Sequence, residues 1–143
     1  KEITDRIPKK EDSVPIRMGA YEYFRRYKPN KEHPIYIRRT NKNAPEQVLL
    51  DVNELAINSD FYQLANWSIA PTEQELAYAE DTTGRREYSI KFKDLLSGKV
   101  SAQVIKYTSG DMAWSSDSAY FFYVRSVYSF IIIIWQNFSK KCR

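Results

Sequence analysis

A stretch of ten residues, Ile69-Ala70-Pro71-Thr72-Glu73-Gln74-Glu75-Leu76-Ala77-Tyr78, returns 45 positions later as Trp114-Ser115-Ser116-Asp117-Ser118-Ala119-Tyr120-Phe121-Phe122-Tyr123. Each copy places a turn of small residues before a short apolar strand that ends in tyrosine. A strand repeat of about 40–45 residues is the spacing of propeller blades, in which four-stranded sheets surround a common axis. Four blades, the smallest closed ring, need roughly 180 residues, whereas this chain has 143. The expectation is therefore an all-β chain holding two to three blades of a partial β-propeller, with edge strands that a closed ring would cover.

Composition points the same way. Aromatic residues make up 15% of the chain, with 11 Tyr and 7 Phe, while glycine and methionine number only 4 and 2; such a balance suits strands. The net charge of +4 is unevenly placed, since residues 1–45 carry 12 basic against 6 acidic side chains and the remainder 10 against 12. The one cysteine, Cys142, has no partner, which excludes a disulfide framework and fits a reducing compartment. Lys1–Lys10 alternates charges around Ile3 and Ile7 and holds no apolar run of the signal-peptide kind, so the cytoplasm is expected.

Along the chain, residues 1–18 read as a short helical or extended lead punctuated by Pro8 and Pro15. Tyr21–Tyr27 and Ile35–Arg39, separated by Lys28-Pro29-Asn30-Lys31, read as a hairpin. Val48–Val52 is a third apolar run, with Asn53-Glu54-Leu55 as a turn or one helical turn begun by a capping residue. Tyr88–Lys93 alternates apolar and polar residues and is the clearest strand, Ser97-Gly98 turns the chain, and Val100–Ile105 continues the pattern before Met112 opens the second copy of the repeat. Residues 19–125 are thus expected to form the propeller portion, and residues 126–143 a divergent tail. The tail's apolar run Val127–Trp135 is too short for a membrane helix, which needs about 20 residues; a buried strand, an out-of-frame translation and an interfacial anchor all remain open.

The chemistry of the chain is limited by what it holds. Gly19, Gly84, Gly98 and Gly110 match no phosphate-binding or nucleophile-elbow spacing. His33 is the only histidine, in a polar loop, so a Ser-His-Asp triad would have to be built on it without any recognisable serine setting, and a solvated loop histidine is the simpler reading. A lone His and a distant Cys cannot assemble a structural zinc set. No catalytic, cofactor-binding or metal residue is assigned. Three arginine pairs, Arg25-Arg26, Arg38-Arg39 and Arg85-Arg86, lie beside aromatic residues, a pattern that serves nucleic-acid surfaces; but neighbours on a strand face opposite ways, and structural ion pairs explain the pairs more simply. A small basic β-rich module binding nucleic acid or an acidic partner stands as the alternative function.

One set of segments, taken in order, goes further: Asp12-Ser13-Val14-Pro15, Gly19–Tyr23, Pro34–Arg39, Glu46–Ala56, Asp81–Tyr88 and Lys91–Leu95. Together they resemble the start of the oligopeptidase B branch of the prolyl oligopeptidase family of serine peptidases. The resemblance runs from about Lys1 to Arg125. It implies a cytosolic enzyme in which a seven-bladed propeller admits short peptides to an α/β-hydrolase domain carrying a Ser-Asp-His triad, with cleavage after Arg or Lys. Only the lead and the first blades are matched, so no catalytic residue transfers to any position here, and the chain is expected to be an inactive fragment whose partners are the rest of the propeller and the hydrolase domain. Neither nucleic acid nor membrane is expected as a partner.

Overall fold

The computed structural model describes residues 11–127 and 130–137, which fall into two compact units divided between Asn58 and Ser59. The first unit is one antiparallel sheet. Strands β1 (Glu11–Asp12) and β2 (Ile16–Met18) pair in succession along one edge of β3 (Tyr21–Tyr27), which pairs with β4 (Pro34–Arg39) and then β5 (Gln47–Asp51). The expected hairpin is β3–β4, in the register Phe24 opposite Ile37 and Arg26 opposite Ile35. The residues expected to form a lead are, from Glu11 to Met18, extended and joined to this sheet; the reading of Lys1–Lys10 lies outside the described residues.

A single helical turn, α1 (Val52–Leu55), follows β5. Its cap is Asp51, whose carboxylate accepts from the Asn53 backbone N–H. The sequence points to a cap at Asn53, two residues too late. Asn53 is used differently: its side-chain amide accepts from the His33 N–H and donates to the His33 carbonyl, clamping the loop before β4.

The second unit is a six-stranded antiparallel meander, β6 (Gln63–Ile69), β7 (Glu75–Asp81), β8 (Tyr88–Asp94), β9 (Val100–Trp114), β10 (Tyr120–Val127) and β11 (Phe130–Asn137), each paired with the next. Strand β9 is one continuous element of 15 residues, running from Val100–Ile105, where the sequence continues the alternating pattern, through to Met112–Trp114, where the second copy of the repeat opens. Up to Thr108 it pairs with β8, and from Thr108 onward with β10. It therefore ends one four-stranded blade and starts the next. Tyr107 and Gly110, at φ 60° and 88°, make the bend between the two halves. In the tail, Phe130–Asn137 is a strand, paired antiparallel with β10 from Val127 opposite Phe130 to Tyr120 opposite Asn137.

The sheet curls so that the second blade lies over the first. Ala77, Ala79, Ile90, Phe92 and Ile105 pack against Phe121 and Tyr123 of β10, with Met112 and Trp114 at the margin. Ring geometry is edge-to-face, the arrangement that the ring quadrupole favours: Phe121 lies 5.0 Å from Phe92 at 78° and 4.8 Å from Trp114 at 64°. The small Ala77 and Ala79 on β7 leave room for these rings inside the curl of the sheet.

Candidate functional surface

The two copies of the sequence repeat adopt the same local structure. In the first, the Ala70 N–H donates to the Glu75 carbonyl and the Glu73 N–H to the Ala70 carbonyl; in the second, Ser115 and Ser118 repeat both bonds with Tyr120 and Ser115. Glu73 and Ser118, 45 positions apart, are both left-handed, at φ 59° and 58°. Pro71 helps set the first turn, whereas the second relies on Asp117, which accepts from Ser115 and from the Ala119 N–H.

The copies also touch each other. Asn66 Nδ2 donates to the Gly110 carbonyl (3.4 Å), Trp114 Nε1 to the Ser68 carbonyl (3.3 Å), and the Thr72 N–H to Ser118 Oγ (3.2 Å). The first two bonds join β6 to the second half of β9, and the third joins the turns that follow them. The leading strand of one blade thus stands beside the leading strand of the next, fixed by side chains rather than by a backbone ladder. Gly110 is required at this seam: a Cβ there would come within 3.3 Å of the Tyr88 ring and 3.4 Å of Ala65 Cβ.

Two buried carboxylates hold the end of β7. Asp81 is 1% exposed. Its Oδ1 accepts from the Thr83 N–H, Thr83 Oγ1 and the Gly84 N–H, and its Oδ2 from the Arg86 N–H at 2.8 Å. Burial alone would raise this carboxyl, but the four hydrogen bonds outweigh it and hold it below the usual aspartate range. The signal was present in the sequence, as the Asp-Thr-Thr-Gly turn of the Asp81–Tyr88 segment. Glu80, on the opposite face, accepts from Tyr62 Oη and pairs with Lys91 Nζ. Burial, reinforced by Glu80, pushes Tyr78 up to about 12 and raises Tyr62 as well, so neither phenol is a nucleophile near neutral pH.

The two arginine pairs that lie on strands, Arg25-Arg26 on β3 and Arg38-Arg39 on β4, divide by face as a strand requires, whereas Arg85-Arg86 lies in the turn between β7 and β8. Arg26 forms a bidentate pair with Asp12 (2.7 and 2.8 Å) and contacts both Glu46 oxygens (2.7 and 3.0 Å). Arg39 reaches Glu22 at 3.2 Å and Glu46 at 3.8 Å, and both guanidinium groups lie over the Phe24 ring. Arg38, on the other face, donates to Gln47 and stacks 4.0 Å from the Tyr21 ring centroid. Three of the cations behind the nucleic-acid reading are thus engaged within the sheet. His33 contributes only its backbone to the described bonds. Among the described residues no group of histidine, cysteine and carboxylate side chains could hold a metal ion, and no helix is long and apolar enough to cross a membrane.

Residues 1–128 match the family model described as prolyl oligopeptidase, N-terminal beta-propeller domain. The chain is 33% identical over 141 residues to dipeptidyl aminopeptidase BI of Pseudoxanthomonas mexicana and 33% identical over 129 residues to protease 2 of Moraxella lacunata. These alignments cover 86% and 85% of the chain but 19% of each relative. Among solved structures, oligopeptidase B from Leishmania major superposes with a TM-score of 0.80 at 28% identity, over 88% of this chain and 18% of that one. The chain therefore spans about a fifth of the length of these relatives.

Proposed function

Because this chain belongs to the prolyl oligopeptidase family, through that family's N-terminal β-propeller domain, we propose that it supplies the opening blades of a propeller that works with a serine-peptidase domain of the oligopeptidase B type. The observation that supports this most directly is the seam between the two repeat copies. Leading strands held side by side by Asn66–Gly110, Ser68–Trp114 and Thr72–Ser118 are the elementary step by which blades are placed around an axis.

In this reading residues 19–125 are propeller, residues 1–18 lead into it, and 126–143 depart from the family pattern. Among the described residues the side chains near one another serve structure: the backbone of His33 anchors a loop through Asn53, and the buried carboxylates of Asp81 and Glu80 accept structural hydrogen bonds. Peptide hydrolysis after Arg or Lys, in the cytoplasm, belongs to the assembled enzyme. The oligopeptidase B assignment rests on the Leishmania match and on the ordered segments from Asp12 to Leu95.

A chimera tests it. Residues 19–125 replace the corresponding segment of a complete oligopeptidase B, and hydrolysis of an arginyl-amide reporter and of a folded protein is measured. A soluble chimera that cleaves the reporter and spares the folded protein is the expected result, while the isolated chain should leave the reporter intact. A chimera whose hydrolase domain folds but whose propeller does not assemble would overturn the assignment.

A further inference from the structure

One end of the second unit carries a cleft that the blade architecture does not require. It has a volume of about 420 Å³ and is lined by Arg86, Glu87, Tyr88, Tyr107, Thr108 and Ser109; a smaller one of about 210 Å³, lined in part by Lys106, shares Glu87 and Tyr107 with it. The larger volume lies within the range of small-ligand sites.

The walls are preorganised by costly means. Arg86 and Tyr107 are both left-handed, each at φ 60°, a conformation that bulky L-residues adopt rarely and that concentrates at functional positions. Each is pinned from below. Buried Asp81 holds the Arg86 N–H at 2.8 Å. Arg125 donates two hydrogen bonds to the Lys106 carbonyl, at 3.1 and 3.4 Å, and Thr108 Oγ1 donates to the Tyr88 carbonyl at 3.0 Å, fixing the bend that carries Tyr107. The Tyr107 side chain is nonetheless 62% exposed.

The charges are also unmatched. Among the described residues, the Arg86 guanidinium and the Lys106 ammonium have neither a hydrogen-bond acceptor nor an ion-pair partner, although Glu87 lines both clefts. Glu80, the other acid in the smaller cleft, is already neutralised by Lys91. A guanidinium presents a planar donor fork that fits a carboxylate bidentately. The unpaired Glu87 lowers the local positive potential, which favours a monoanion over a dianion. The exposed Tyr107 ring offers apolar contact area with a polar tip, suited to a peptide backbone or an aliphatic side chain.

We propose that this cleft binds a carboxylate of a peptide, with Arg86 as the anion-binding group, Lys106 as a supporting charge and Tyr107 as the contact for the adjoining peptide. The carboxylate is either a C-terminus or an acidic side chain, and the two sources are separable.

The test is a titration of the isotope-labelled chain, followed by amide chemical shifts at low ionic strength, with three probes: acetyl-Ala-Ala-Ala with a free C-terminus, acetyl-Ala-Glu-Ala amide and acetyl-Ala-Gln-Ala amide. The expected result is saturable shifts confined to residues 84–88 and 106–110 with one or both carboxylate peptides, and affinity for the Gln peptide lower by about tenfold or more, as loss of a charge-assisted bond implies. Whichever carboxylate peptide binds identifies the source. Arg86→Asn, which accepts the left-handed conformation, should weaken binding by about tenfold or more while amide shifts elsewhere stay unchanged, and Arg86→Lys should weaken it less. Equal binding of all three peptides, shifts spread over the surface, unchanged affinity in Arg86→Asn, or inorganic phosphate binding more tightly than acetate would each overturn the proposal.

Discussion

The two units of this chain are held by different physics. In the first, residues 1–58, the cluster of Phe24, Ile35 and Ile37 is roofed by guanidinium groups, and a chain of alternating charges runs from Asp12 through Arg26, Glu46 and Arg39 to Glu22. In the second, residues 59–143, the two blades of one curled sheet close on interlocked rings, and the buried charges, Asp81 and Glu80, are each matched inside the fold. The backbones differ in the same sense. The left-handed non-glycine residue described in the first unit is Asn30, a type that tolerates it, whereas the second has Glu73, Arg86, Tyr107 and Ser118. A sheet stabilised by packing can carry strained turns; one roofed by ion pairs has less apolar burial with which to offset them.

The largest effect should come from breaking the packed unit. Phe121, fully buried, touches Phe92 and Trp114, and Phe121→Ala removes the ring that joins the blades. Such truncations cost about 3–5 kcal/mol. Because Trp67, Trp114 and Trp135 all lie beyond residue 58, tryptophan fluorescence in urea reports the second unit alone. Its midpoint should fall sharply, while amide exchange in β3 and β4 stays as in the parent chain. Equal loss of protection in both units would show that they unfold as one.

Next in size is the buried carboxylate. Asp81→Asn places an amide donor against N–H donors and should destabilise the second unit by about 1–3 kcal/mol. The pH profile follows from its lowered pKa. A depressed folded-state value contributes stability that is present above the ordinary aspartate range near about 4 and is lost as the pH falls through the folded value. Acid should therefore lower the fluorescence-detected midpoint of the parent chain more steeply than that of Asp81→Asn. Parallel acid limbs would mean that Asp81 is not the group that titrates.

The first unit should answer to salt instead. Arg26→Leu strands Asp12 and Glu46, which keep 43% and 34% exposure, so water softens the loss to about 1–2 kcal/mol, between a surface pair and a buried one. At about 1 M salt, where screening acts over roughly 3 Å, exchange protection in β3 and β4 should fall in the parent chain and change little in the variant. The second unit should be indifferent to salt in both. A salt response in the tryptophan signal would erase the contrast.

Much of this was legible in the sequence, and the failures have physical causes. The 45-residue repeat survived as two superposable turns because Ala70 and Ser115 need the same backbone bonds whatever their side chains. The β3–β4 hairpin and β8 were readable because their residues alternate by face. Strand β2 was not, since Ile16–Met18 is exposed and packs too little to impose a pattern. Strand β9 was legible from Val100 to Ile105 and not as far as Trp114, because the bend at Tyr107–Gly110 breaks the alternation; the ladder changes partner there without stopping. The contacts of Arg26 with Asp12 and Glu46 span 14 and 20 residues, so the sequence could suggest that the arginines were paired without saying with what. The cleft at Arg86 and Tyr107 left no mark at all, because left-handed geometry at Arg or Tyr has no compositional signature.

That cleft yields the smallest expected effect, and the one of opposite sign. If the second unit's packing carries the strain at Tyr107, relieving it should stabilise. Tyr107→Asn substitutes a residue that enters the left-handed region readily. The exposed ring contributes little burial, so the change should raise the urea midpoint of the second unit by the equivalent of about 0.5–1 kcal/mol. The same substitution removes the aromatic wall of the cleft and should weaken capture of the carboxylate peptides. A gain in stability with a loss of binding would mark Tyr107 as strain retained for use. A loss of stability would mean that the ring has structural work in the bend, and the contrast between a packed unit that tolerates strain and an ion-paired one that does not would rest on Arg86, Glu73 and Ser118 alone.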